Sequence, residues 1–579
     1  YNINIGTNNI AIGLCAGLNN DNGSLNITIG TNAGYNLKSD GNIIIGGGAG
    51  YYVNSPNNIF IGSYAGQGQN GAYGDNNIGI GYLALNKVYS GLKNLAIGDN
   101  SLYNNSNGNY NLSLGSDTLY NNIDGNVNIS IGASALFYNQ HGSENLAIGI
   151  GAGYQVEDNF NTLVGTNSGR NLKNGENNVY IGRNAGRSLA NEPDYTAIQY
   201  NNIAIGSNAG INLKNTDENL LIGYQSGYNI TTGKTNLLIG YNAGYSAITS
   251  SNTLSIGYQA GYNNLVDGGI NIGTNSGFCN TGGTNNLNIG LESGYANTTG
   301  KNNIKIGYQA GYNSLFDNNI YVGNQCGYGA QGGAYSNNLN HLNVGIGNAC
   351  LYNIQNGFRN IAIGDSAGFN ISNGYANINL GYNSGYTGNT YSNCINIGPY
   401  AGNFNLTDNA INIGTQSGNY NSTGENNINI GYLSGFMNQT GSRNIKIGLT
   451  AGRNNTNDEN TFIGYNSGYG YSTSTGQYNI GIGSNTLCNL YTGINNVAIG
   501  NNSLFKSSNG NYNLSLGSDT LYNNIDGNYN ISLGASALYS NQYGSENIAI
   551  GIGAGYQVED NFNTLVGTYS GRNLKNGEN

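Results

Sequence analysis

Around a recurring glycine, apolar and polar side chains alternate with a period of two. In Asn303-Ile304-Lys305-Ile306-Gly307-Tyr308-Gln309-Ala310-Gly311-Tyr312-Asn313, two isoleucines flank Lys305 before the glycine and the alternation resumes after it. That period argues short strands rather than a helix. The anchor glycine recurs 34 times, from Gly6, Gly13, Gly30, Gly46 and Gly62 to Gly551 and Gly567, nearly always 16 or 17 residues apart. So short and fixed a period means a repeat architecture. Each unit reads as strand, glycine bend, strand, then a turn rich in Asn, Gly, Ser and Thr. The predicted fold is all-β without helix. It is a parallel β-solenoid, a flattened β-roll with two short strands per 16–17-residue coil and about 33 coils, and residues 1–579 form a single elongated domain.

With the anchor as position 0, the other positions form columns. Position −4 is Asn except at Thr253, Gly269, Cys394 and Ala410. If coils stack in register, each amide donates to one neighbouring coil and accepts from the other. An asparagine ladder is therefore expected at Asn9, Asn26, Asn111, Asn128, Asn202, Asn303, Asn360, Asn427, Asn496 and Asn513. Positions −3 and −1 are Ile, Leu or Val in nearly every unit, and are assigned to the aliphatic half of the core. From Gly13 onward position +3 is always Ala, Ser, Thr or Cys, as a crowded interior requires. Position +4 is mostly Gly, elsewhere Leu. Position +5 is aromatic in 22 of 33 units, enough to predict a ladder of stacked rings that includes Tyr120, Tyr154, Tyr228, Tyr245, Tyr262, Phe278, Tyr295 and Tyr312.

Interruptions to the period are themselves spaced. Longer turns fall at 63–77, 183–202, 324–343 and 465–479, and read as surface insertions or as lateral or glycan-facing contact points. Residues 81–177 recur at 483–579, offset by 402. The second copy stops where the first continues through Asn178, which suggests a piece of something longer or of a polymer.

Composition changes the picture by exclusion. The chain has 96 Gly, 48 Tyr, no Trp, 3 Pro and 8% charged residues, unlike an ordinary enzyme or a highly charged disordered chain. A net charge of −10 without a basic run argues against nucleic-acid partners, and no apolar stretch is long enough for membrane insertion.

Candidate chemistry is sparse. The chain holds only two histidines, His141 and His341, and the duplication puts Tyr543 where His141 stands, so a turn histidine is expected. Glu157-Asp158 reads as an acidic turn, with a weak cation site or half of a glycosidase pair as the alternatives. Pairs such as Gly79-Ile80-Gly81 lack the Lys-Ser/Thr of a phosphate loop. Of the six cysteines, none has metal-ligand spacing. Cys326 and Cys350 fill position +3 in successive coils, as small buried thiols or, if stacking brings them close, as a disulfide. No catalytic residue, cofactor or metal is expected. Sequons in the Asn column should be buried, whereas Asn297 and Asn421, read as turn residues, are candidate glycosylation sites.

Asn9-Ile10-Ala11-Ile12-Gly13, Asn202-Ile203-Ala204-Ile205-Gly206 and Asn496-Val497-Ala498-Ile499-Gly500 resemble the Asn-x-Ala-Ile-Gly repeats in the heads of trimeric autotransporter adhesins. Ile361-Ala362-Ile363-Gly364-Asp365-Ser366-Ala367-Gly368 resembles repeats of viral and bacterial fibre proteins that often precede an intramolecular-chaperone domain. The likeness spans essentially the whole chain. It implies a left-handed roll, exposure at a cell or virion surface, and a role as stalk or adhesive fibre. The expected function is thus a structural extracellular fibre rather than an enzyme. Its expected partner is itself, end to end or laterally, a trimer being one form. The alternative is an adhesin that recognises polysaccharide or cell-surface glycans through outward Asn and Tyr rows.

Overall fold

A computed structural model describes residues 6–188, 198–329, 341–470 and 474–575. The chain divides into two units, Tyr1–Ile289 and Gly290–Asn579. Each is a parallel β-solenoid, and no helix occurs among the described residues. The first unit contributes 17 three-residue strands, from Ile10–Ile12 to Leu287–Ile289, and the second 16, from Ile304–Ile306 to Thr564–Val566. Within a unit each strand pairs in register with the next, so Leu95, Ala96 and Ile97 lie against Leu112, Ser113 and Leu114. Equivalent positions therefore stack along the axis.

One strand, not two, is built per coil. After the anchor glycine the chain enters turns instead of a second extended segment. Left-handed backbone recurs at positions −5, +2 and +4, as at Lys93, Asn100 and Leu102, with φ of 54°, 54° and 51°. Alternation of side chains with period two also arises when left-handed residues alternate with right-handed ones, which is why the pattern suggests a strand. Hydrogen bonding still runs from coil to coil. Asn100 N–H donates to Tyr82 O in the preceding coil (2.8 Å), and Leu102 N–H to Thr118 O in the following one (2.9 Å), so turn backbone is not left unpaired. The anchor itself has to be glycine. At Gly13 φ is +131°, and a Cβ there would lie 2.7 Å from the carbonyl oxygen of Gly30.

The core is inverted with respect to the aliphatic pair. Positions −3 and −1 point outward, and position −2 between them is buried: Ala96, Ser113, Ser130, Ala147 and Leu163 are all inside. The assignment of −3 and −1 to the interior is thus corrected. Neighbours on a strand face opposite sides, so buried Asn at −4 and buried Ile at −3 exclude one another. The remaining core comes from the small residue at +3, from leucines at +4 such as Leu102 and Leu119, and from position +7, which sequence reading passed over. There Leu37, Val88, Val156, Leu213 and Ile230 are fully or almost fully buried.

The long turns have a packing partner. Position −2 carries a large buried aromatic at Phe60, Tyr180, Tyr321 and Phe462, each in the coil that opens a long turn. The next coil offers only Gly79, Ala204, Gly345 or Gly481 at the same position. In the first unit the inserted segment also supplies Gln199, whose amide oxygen accepts the Tyr180 hydroxyl at 2.6 Å. Parts of these turns, 189–197, 330–340 and 471–473, lie outside the described residues.

Candidate functional site

The side chains able to act are arranged as ladders, and the asparagine ladder recurs through both units. Asn128 N–H donates to Asn111 Oδ1 at 2.9 Å and its Nδ2 to the same oxygen at 3.1 Å. Asn128 Nδ2 also reaches the carbonyl of Gly142 in the next coil at 2.8 Å. The backbone N–H to Oδ1 bond repeats at Asn26 on Asn9, Asn219 on Asn202, Asn319 on Asn303, Asn377 on Asn360, Asn444 on Asn427 and Asn513 on Asn496. Cys394 keeps its place in the column: its N–H donates to Asn377 Oδ1 at 2.9 Å, and its sulfur accepts from Ala410 N–H at 3.3 Å.

A second amide ladder runs inside the core at position −2, signalled by Asn between the two aliphatic residues of the strand, as in Ile395-Asn396-Ile397-Gly398. In the second unit Asn396, Asn412 and Asn429 each donate to the preceding rung, beginning with Asn379, at 2.8, 2.8 and 2.9 Å. Its ends are unsatisfied, at Asn379 Nδ2 and Asn429 Oδ1. The next residue in that column is Lys446, fully buried, its Nζ donating to the backbone oxygen of Asn455 at 2.9 Å. Lys305 is buried likewise, 3.4 Å from Ser314 O. Neither lysine belongs to an ion pair among the described residues, and burial alone pushes both amines down to about 7.

Cys326 and Cys350 form a disulfide that joins successive coils of the second unit across the 324–343 turn, with Cα atoms 4.8 Å apart. The ring column at +5 stacks as the spacing predicts. Tyr120–Phe137–Tyr154 and Tyr228–Tyr245–Tyr262–Phe278 step at 4.9–5.2 Å. In the second unit Tyr295–Tyr312–Tyr328–Tyr352–Phe369–Tyr386 forms six consecutive rings. Face-to-face stacking leaves ring edges and hydroxyls outward while the faces cover one another.

The remaining candidates do not converge. His141 and Asp124 form an exposed pair at 2.6 Å. His341 is not a surface turn residue: it is buried, stacked on Phe316 at 3.6 Å, with Nδ1 2.9 Å from Gly357 O. Burial raises the Asp158 carboxyl. Among the described residues no three His, Cys, Asp or Glu side chains are grouped to hold a metal ion, and no helix is long and apolar enough to cross a membrane. Asn297 and Asn421, expected on outward turns, belong instead to the buried +7 column and are each 1% exposed. Their amides close the turn by pairing with Gly300 and Gly424, so the folded chain does not present them to a glycosyltransferase.

What does face outward is aliphatic. In the three-residue strands of both units, positions −3 and −1 contain Ile, Leu, Val and, at three −3 positions, Thr, with no charged residue at either position. Ile129 is 39% exposed and Ile363 41%. No known protein family matches the chain, and no curated protein is significantly similar to it.

Proposed function

We propose that this protein is the structural element of a fibre at an extracellular or virion surface, built by lateral association of identical copies through the aliphatic face. The observation that carries this reading is the pair of outward aliphatic columns, free of charge along both units. Soluble monomers rarely expose contiguous apolar patches above about 400 Å², and soluble surfaces intersperse charges of both signs. These columns have neither. Their apolar ridges repeat once per coil, and another copy of the chain supplies ridges of the same spacing, so the packing formed at one coil is repeated at the next.

The adhesin reading has less support. Sugars stack on exposed aromatic faces, and here the rings in a column cover one another's faces. Recognition would then rest on hydroxyl and amide edges, which a glycan array tests directly.

Light scattering coupled to size exclusion tests the assembly. The intact protein should elute as an oligomer at micromolar concentration. A variant carrying Ile129→Lys, Ile148→Lys, Ile361→Lys and Ile363→Lys should dissociate to monomer with an unchanged β-type circular dichroism spectrum. A monomeric parent protein would refute the proposal.

A further inference from the structure

Beyond the half-buried +5 column, two sets of tyrosines stack on the open surface. In the first unit Tyr224, Tyr241 and Tyr258 occupy position +1 in successive coils, with centroids 5.2 Å apart and planes within 17° and 9°. In the second, Tyr512 and Tyr529 occupy position −5, 5.0 Å apart and within 3° of parallel, and are 46% and 57% exposed.

We propose that these pairs are sites of oxidative dityrosine cross-linking between adjacent coils, with hydrogen peroxide as the oxidant, activated by a haem peroxidase acting from outside. Each phenol gives up one electron and one proton, which together reduce one peroxide to two waters. The two phenoxyl radicals then join through ring carbons ortho to oxygen, and the displaced ring protons return to the oxygens to restore two phenols. The slow step in solution is the encounter of two radicals. The ladder holds the partner ring in place, so coupling becomes effectively unimolecular. Each bond would tie one coil to the next, giving the solenoid covalent seams that need neither cysteine nor a partner chain.

The duplication provides an internal control. The first-copy counterparts of Tyr512 and Tyr529 are Tyr110 and Val127. Tyr110 is as exposed, at 55%, but its column neighbours are Lys93, whose Nζ donates to the phenol at 3.1 Å, and Val127. If exposure alone governed coupling, Tyr110 and Tyr512 would react alike. If the ladder governs it, only Tyr512 forms an intramolecular couple.

The experiment treats dilute full-length protein with horseradish peroxidase and hydrogen peroxide, then identifies dityrosine by its fluorescence and the joined peptides by mass spectrometry. Expected are Tyr512–Tyr529 couples, Tyr241 joined to Tyr224 or Tyr258, and no intramolecular couple at Tyr110. Tyr529→Val, which restores the residue found in the first copy, should abolish the Tyr512 product while leaving the Tyr241 products. Tyr110 coupling as readily as Tyr512, or a yield in the folded chain no higher than in urea-unfolded chain, would overturn the proposal.

Discussion

Phe60 lies against Gly79 of the next coil: a Cβ on Gly79 would stand 3.0 Å from the Phe60 ring. The same relation holds between Phe462 and Gly481, at 3.1 Å. A large core side chain is thus accommodated where its neighbour has none, and the period lengthens at that coil.

Gly79→Ala should therefore destabilise the first unit by about 1–3 kcal/mol through overpacking. Gly79 is not left-handed, so the methyl group and not the backbone causes the loss. Phe60→Leu combined with Gly79→Ala should recover most of it. Urea denaturation of the two single variants and the double variant measures the coupling, which should be near zero if the two side chains do not meet.

Asn111→Leu removes the acceptor for Asn128 N–H, at 2.9 Å, and the donor to Gly125 O, also 2.9 Å. Gly125 O keeps Asn122 Nδ2 at 3.0 Å, so the buried Asn128 N–H is the group left unpaired, at a cost of about 1–3 kcal/mol. Hydrogen exchange should accelerate locally over residues 108–128 while distant coils stay protected. Uniform protection would show that the ladder does not hold the turn.

The buried lysines give a pH dependence with a definite sign. Their amines are lowered from 10.5 to about 7 in the folded chain, so the unfolded chain binds more protons between those values. Stability should rise as pH rises from about 7 to 10.5, and the full penalty should persist below 7. Lys446→Met should raise stability at pH 7 by up to about 5 kcal/mol and reduce the slope above it. Chemical denaturation at pH 6, 8 and 10 checks both.

Reducing Cys326–Cys350 should cost about 3 kcal/mol, since the bond closes a loop with a sequence separation of 24. A Cys326→Ala, Cys350→Ala variant should show the same lowered midpoint, insensitive to reductant. Mass spectrometry after alkylation without reductant should find both cysteines unmodified in the parent protein.

The repeat, the anchor glycine, the parallel stacking and the Asn and aromatic columns were legible in the linear order of residues. A spacing of 16 or 17 residues admits one stacked register, and the amide and the small residue recur at fixed offsets within it. Other features were not legible. Left-handed turns at Lys93 and Leu102 mimic a strand in the alternation they produce, and Asn297 and Asn421 looked like loop residues because polar side chains are expected outside. In the buried +7 column their amides are paired with turn backbone, which offsets the cost of burial.

The deepest division concerns which side of the strand is in. Alternation by itself determined that Ile129 and Ile131 share one face and that Asn128 and Ser130 share the other, because the strand period is two. It left open which face closes on the axis. The stacked coils decided it. The ladder that satisfies Asn128 and the narrow space beside Ala135 lie on the same side, and once they are inside, the isoleucines must face out.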